Sequence, residues 1–164
     1  MTGLTRRWFA FVTVEDRSGA SAALAGVFSE RGVSFGSIST LDVHDGLGTL
    51  SVEFTASERL AHVLIRTLGR LAVARGASLV AADDPRVRAV AMLTGESSGA
   101  TLPPDTDVHR HGAGPEATTI IAGPLAAVET AVARLRHAGC GVEALTVLPP
   151  RGSAQSPAHR HRQA

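Results

Sequence analysis

The stretch with the strongest chemical character is Glu15-Asp16-Arg17-Ser18-Gly19. It stands between an apolar run, Trp8 to Val14, and an amphipathic one, Ala20 to Arg31. A tight glycine loop between a strand and a helix leaves backbone N–H groups free at the helix N-terminus, where a small carboxylate docks. The N–H groups of residues 18 to 20 would take that carboxylate, and Asp16 would face an ammonium group on the same molecule. Gly19 taken alone is better explained by a turn that binds nothing; the element order and Arg31-Gly32 bring ligand binding level with that reading. The loop fits the sensing of a small molecule better than the making or breaking of a bond.

Other residues with chemical potential read as scaffold or solvent. His109-Arg110-His111 and His159-Arg160-His161-Arg162 carry metal- or phosphate-binding side chains. Both lie in Gly/Pro/Ser-rich stretches without a nearby cysteine, so they read as solvated chain. Arg66, Arg70 and Arg75 read as a solvent-facing basic stripe around a helix. Asp83-Asp84 precedes Pro85 and reads as a turn. The single cysteine, Cys140, excludes an intramolecular disulfide and reads as a structural thiol. There is no Ser/His/Asp order with supporting motifs, no GxxxxGK and no CxxC. No catalytic residue, metal ligand or cofactor is assigned to this chain.

The elements that must position the loop follow from periodicity. Trp8 to Val14 is apolar on both faces, which suits a central strand. Ala20, Ala23, Leu24, Val27 and Phe28 form a helical stripe that Gly32 ends, and Ser18 or Asp16 is the expected cap. Val33 to Val43 alternates with a break near Gly36-Ser37, which predicts a bulge. Asp45-Gly46-Leu47-Gly48 is a hairpin turn, and Thr49 to Thr55 alternates with Leu50, Val52 and Phe54 inward. Ser57 caps a second helix with Leu60, Val63, Leu64, Leu68 and Leu71 on its stripe, and a fourth strand falls within residues 76 to 82. The order is βαββαβ, the ferredoxin-like plan. Trp8, Phe9 and Phe11 predict that a second copy or a second domain covers the free sheet face.

Beyond the break at residues 83 to 85, residues 86 to 93 read as a strand. Residues 94 to 117 read as a flexible linker, being rich in Gly, Pro, Ser, Asp and His. Thr118 to Gly123 is a strand, and Pro124 opens a helix with Leu125, Val128, Val132 and Leu135 on its stripe. Val142 to Leu148 is a last strand, and residues 151 to 164 read as a disordered tail. The organisation expected is thus α+β: a first unit over 5–83, a strand at 84–93 opening a second unit, a linker at 94–117, and an abbreviated βαβ unit at 118–150.

With 164 residues, 44% of them hydrophobic, the chain is long enough for one ordinary domain or two small ones. A formal net charge of +1 gives no pull toward nucleic acid or a membrane surface. No apolar run reaches the roughly 18 residues of a membrane span, and the N-terminus lacks a signal-peptide pattern, so a cytoplasmic location is expected. Lysine, asparagine and tyrosine do not occur. Their codons are AT-rich, so Asp or Ser in place of Asn reads as GC-rich drift.

Residues 14 to 43 resemble the opening of an ACT domain, above all that of the regulatory small subunit of acetolactate synthase (acetohydroxyacid synthase). The match rests on Glu15, Asp16, Gly19, Phe28-Ser29-Glu30-Arg31-Gly32, Ser37 and Ile38, with weaker colinearity over 72 to 150. The resemblance implies an amino-acid effector, typically valine, held between two copies of the chain. Asp16, Ser18, Gly19 and Ala20 would come from one copy, and Ser34 and Phe35 from the other. It further implies a homodimer through the ACT domain and a large catalytic subunit as partner, to which thiamine diphosphate, FAD and Mg would belong. Asp16 and Ser34 stand where the family has Asn, and Phe35 stands where it has a smaller aliphatic residue. A stand-alone amino-acid sensor is the competing expectation.

Overall fold

The computed structural model describes residues 4–96 and 99–152 of the chain. Its centre is β1 (Thr5–Glu15), a strand whose residues 8 to 12 are all buried. β1 lies between β3 (Leu47–Ser57) and β4 (Ala74–Ala81), and β2 (Phe35–His44) is the outer strand beyond β3. All these pairings are antiparallel. Helices α1 (Ala20–Glu30) and α2 (Glu58–Gly69) cover one face of this sheet. Trp8, Ala10, Val12 and Val14 meet Leu24, Phe28, Leu64 and Leu68 there. Phe28 stands edge-on to Phe35 and Phe54, with ring centroids 5.9 and 5.1 Å away. The Trp8 indole N–H donates to the Ala56 carbonyl at 3.1 Å, so its polar end is satisfied inside the core.

Local chemistry explains the connections. Ser57 caps α2, its hydroxyl oxygen accepting the Leu60 N–H at 3.3 Å. Asp45 and Gly46 have φ of 49° and 74°, the left-handed pair of a two-residue hairpin turn. The register of β2 on β3 slips between Phe35 and Ser37, where the bulge is predicted, and again between Thr40 and Asp42. The fourth strand starts two residues earlier than predicted. Asp84 accepts the Arg86 guanidinium and the Arg86 backbone N–H. Those hydrogen bonds lower its carboxyl pKa to about 2 and fix the turn at Pro85.

The second sheet has the order β6-β7-β5-β8, from β5 (Arg88–Thr94), β6 (Asp107–His111), β7 (Thr118–Pro124) and β8 (Gly141–Leu148). Helix α3 (Leu125–His137) packs Leu125, Val128, Ala131, Val132 and Leu135 into its core, and Cys140 is buried beside them. Two expectations are corrected here. The second unit has four strands where three were read, so among the described residues it is abbreviated by its first helix and not by a strand. Residues 94 to 117 are not an unstructured linker, since they contain β6 and a short 3-10 helix, Gly114–Glu116. Pairing of β6 with β7 gives the backbone of this polar segment the partners its side chains do not advertise. Among the described residues between β5 and β6 there is no helix. The tail from 153 onward, with His159 and His161, lies outside the described residues.

Phe9, Phe11 and Val80 leave the first sheet on its other face and join the core of the second unit. The second unit of the same chain therefore covers the face for which either a second copy or a second domain was expected, and Trp8 belongs to the helical side instead. At the rim of this junction Arg7 reaches two carboxylates, Glu53 on β3 at 2.6 Å and Glu129 on α3 at 2.5 Å. Burial pulls the Arg7 guanidinium down, and its hydrogen bonds to Glu53 and Glu129 overcome that and raise it.

Two substitutions check this architecture. A Cβ on Gly123 would stand 2.8 Å from the Asp105 carbonyl oxygen, a backbone atom. Gly123→Ala is expected to lower stability by about 1–3 kcal/mol in urea denaturation. An unchanged midpoint would mean that the 103–106 segment does not pack on β7. Arg7→Met leaves Glu53 and Glu129 without their shared cation, and is expected to cost about 1–2 kcal/mol at neutral pH. Wild-type stability would contradict the bridge between the units.

Candidate functional site

The β1–α1 loop has the form that suits an anion. Gly19 occupies the N-cap position of α1 in left-handed conformation, φ 86°, and no side chain caps the helix. Ser18 and Asp16 are thus not the cap. The capping position belongs to the residue whose side chain reaches the second or third helical N–H, and here that residue is a glycine. The Asp16 N–H is held by the Gly46 carbonyl at 2.8 Å, which ties the loop to the β2–β3 turn. The Ala20 N–H is also engaged, on the Arg17 carbonyl at 3.2 Å. The next two N–H groups, of Ser21 and Ala22, have no acceptor within an α-helix, and both residues are exposed. A Cβ on Gly19 would meet no atom within 4 Å, so approach to this first turn is open. Asp16, Ser18 and Gly19 are exposed around it.

Glu15 pairs with both basic neighbours of the loop, Arg17 at 3.2 Å and Arg75 on β4. Arg66 and Arg70 face solvent as expected, whereas Arg75 is part of this cluster. Among the described residues no group of three or more His, Cys, Asp and Glu converges to hold a metal ion. His109 and His111 lie exposed on β6.

Ser34 and Phe35 stand at the opposite end of the sheet, past the end of α1. The 11 residues of α1 separate them from Gly19 by about 16 Å along the helix axis. One copy of the chain therefore does not bring Asp16, Ser18, Gly19 and Ala20 together with Ser34 and Phe35. A site containing both groups needs two copies, the arrangement that the resemblance implies.

Ser34 and Phe35 instead line a cavity of about 610 Å³ within the single chain. Its apolar wall includes Val33, Phe54 and Leu60, and its one ionisable lining side chain is Glu53. Sequence reading missed this site. Glu53 looked like an ordinary solvent-facing strand residue, and its partner Arg7, which also holds Glu129, is 46 positions away.

No protein-family model and no curated protein matches the sequence. The fold, by contrast, has relatives among solved structures. The small subunit of acetolactate synthase from Thermotoga maritima superposes with a TM-score of 0.60, covering 87% of this chain and 92% of that one at 16% identity. The regulatory subunit of aspartate kinase from Thermus thermophilus aligns over 84% of this chain and 99% of that one, at 17% identity and a TM-score of 0.44. No helix among the described residues is long and apolar enough to cross a membrane. The chain shares the α+β fold of that acetolactate synthase small subunit, two four-stranded antiparallel sheets with three α-helices among the described residues.

Proposed function

We propose that the chain is a non-catalytic regulatory subunit that responds to a small amino acid, with an acetolactate synthase large subunit as its catalytic partner in branched-chain amino acid biosynthesis. Thiamine diphosphate, FAD and Mg would belong to that partner. The observation that carries the amino-acid part is the uncapped, open first turn of α1 behind Gly19. Free N–H donors and the positive end of the helix dipole suit a carboxylate. Asp16 beside them suits an ammonium group. The side chain of the effector would lie against Phe35, with Ser34 beside it, on a second copy.

A second copy has to approach from the edge of the first sheet, because the sheet's free face is already occupied by the second unit. β2 and β4 are its two edges, and we take β2 because Ile38 and Val43 are exposed along it. An effector held between two copies favours one arrangement of the pair. It biases the partner's active state only by its difference in affinity between the two arrangements. A stand-alone sensor is the second reading, favoured by the lack of a helix among the described residues between β5 and β6.

Calorimetric titration with valine, leucine and isoleucine tests the site. At least one is expected to bind. Gly19→Asn keeps the left-handed backbone accessible and places a side-chain carbonyl over the first turn. It is expected to weaken binding about tenfold or more with little change in melting temperature. Wild-type affinity in this variant would remove the loop from the account, and no binding by the wild-type chain would contradict the amino-acid reading.

A further inference from the structure

We propose that the outer face of the second sheet is a docking surface for a second copy of this chain. α3 and the first unit cover the inner face, where Ala89, Ala91, Leu93, Ile121 and Val147 are buried. The residues that alternate with these point the other way. Val90 pairs with Ala122 and Thr146, and Met92 pairs with Ile120 and Ala144, so they form two cross-strand rows on the outer face. None of Val90, Met92, Ile120, Ala122 and Ala144 belongs to either core, and Ile120 is 41% exposed. An antiparallel sheet with one face toward water ordinarily carries polar residues on that face. Here the middle of the face is apolar and the charges stand at its rim, the pattern of an interaction surface.

The rim selects the occupant, because it is self-complementary. β6 and β8 are the two edges of this sheet. On β6, His109 and His111 pair in register with Ile120 and Thr118 and so share the outer face. On β8, the Glu143 carboxylate accepts the hydroxyl of Thr94, which pairs with Thr118. A two-fold axis running along the strands lays β6 of one copy over β8 of the other, and β7 over β5, with each row at its own level. His111 then meets Glu143 twice, Ile120 meets Met92 twice and Ala122 meets Val90 twice. Asp107, the acidic residue of β6 on this face, meets the Thr146 hydroxyl, which can donate to it. Four strands about 4.8 Å apart, rising about 3.3 Å per residue, give a face of roughly 400–500 Å². A standard interface uses about 800 Å² per partner, so this contact is weak and depends on concentration. It uses no part of β2 and does not rest on the amino-acid reading.

Sedimentation equilibrium of the full chain over a wide range of concentration tests the assignment. The average mass is expected to rise with concentration. Ile120→Glu is expected to lower the mass reached at high concentration by up to twofold, with little change in melting temperature. His111→Glu changes only an exposed rim residue, sets carboxylate against carboxylate, and is expected to weaken the association about tenfold or more. Adding Glu143→Arg to it is expected to restore the association. The two positions stand on opposite edges of one sheet, about 14 Å apart, so that rescue works only between copies. Ile38→Glu, on β2, is expected to leave this step intact and to remove only the pairing proposed above. A wild-type chain that stays monomeric, an unchanged mass in Ile120→Glu, or a charge exchange that rescues nothing would each overturn the proposal. Loss of co-elution with the large subunit in Ile120→Glu, from a chain that does not self-associate, would also overturn it and give the face to that partner.

Discussion

Everything in this chain depends on a central strand that is apolar on both faces. Such a strand has to be covered twice. On one side Trp8, Ala10, Val12 and Val14 are covered by α1 and α2. On the other, Phe9 and Phe11 recruit the second unit of the same chain, whose core is continuous with them. The burial of two phenylalanines at about 1.5–3 kcal/mol each makes this docking a substantial part of the stability of both units. The first sheet thus has neither face free, and what it offers to other molecules lies at its two ends and along its edge strands β2 and β4.

The two ends differ in electrical character. At the C-terminal end of β1, the left-handed Gly19 exposes the positive end of α1. At its N-terminal end, Glu53 and Glu129 crowd around Arg7 beside an apolar cavity. The second end is wired to α3, and so to the second unit, while the first is wired through Asp16 to the β2–β3 turn. An effector acts only through elements whose arrangement it changes, so under the proposed function these connections are the ones that count.

Much of this was legible in the sequence. The stripe of α1 comprising Ala20, Leu24, Val27 and Phe28 is buried as its spacing predicts, and Ser57 caps α2. Those signals are local, set within one or two turns. β6 was illegible for the opposite reason. Its sequence, Asp-Val-His-Arg-His, has one apolar residue, and it is a strand because β7 offers it backbone partners. The α1 cap was misread because Ser18 and Asp16 are good capping types, but the chain places Gly19 at the capping position. The Glu53–Arg7–Glu129 cluster joins residues from three elements and two units, and no local pattern announces it. The six residues expected at the effector site were found in two groups at opposite ends of the sheet, which is a matter of topology rather than of periodicity.

The most direct measurement is reconstitution. The purified chain is mixed with the acetolactate synthase large subunit encoded in the same genome, and acetolactate formation is followed with and without valine, leucine and isoleucine. The account predicts that the chain raises the rate and co-elutes with the large subunit, and that one of the amino acids reverses the stimulation. Neither stimulation nor co-elution would contradict it and leave a stand-alone sensor as the better description.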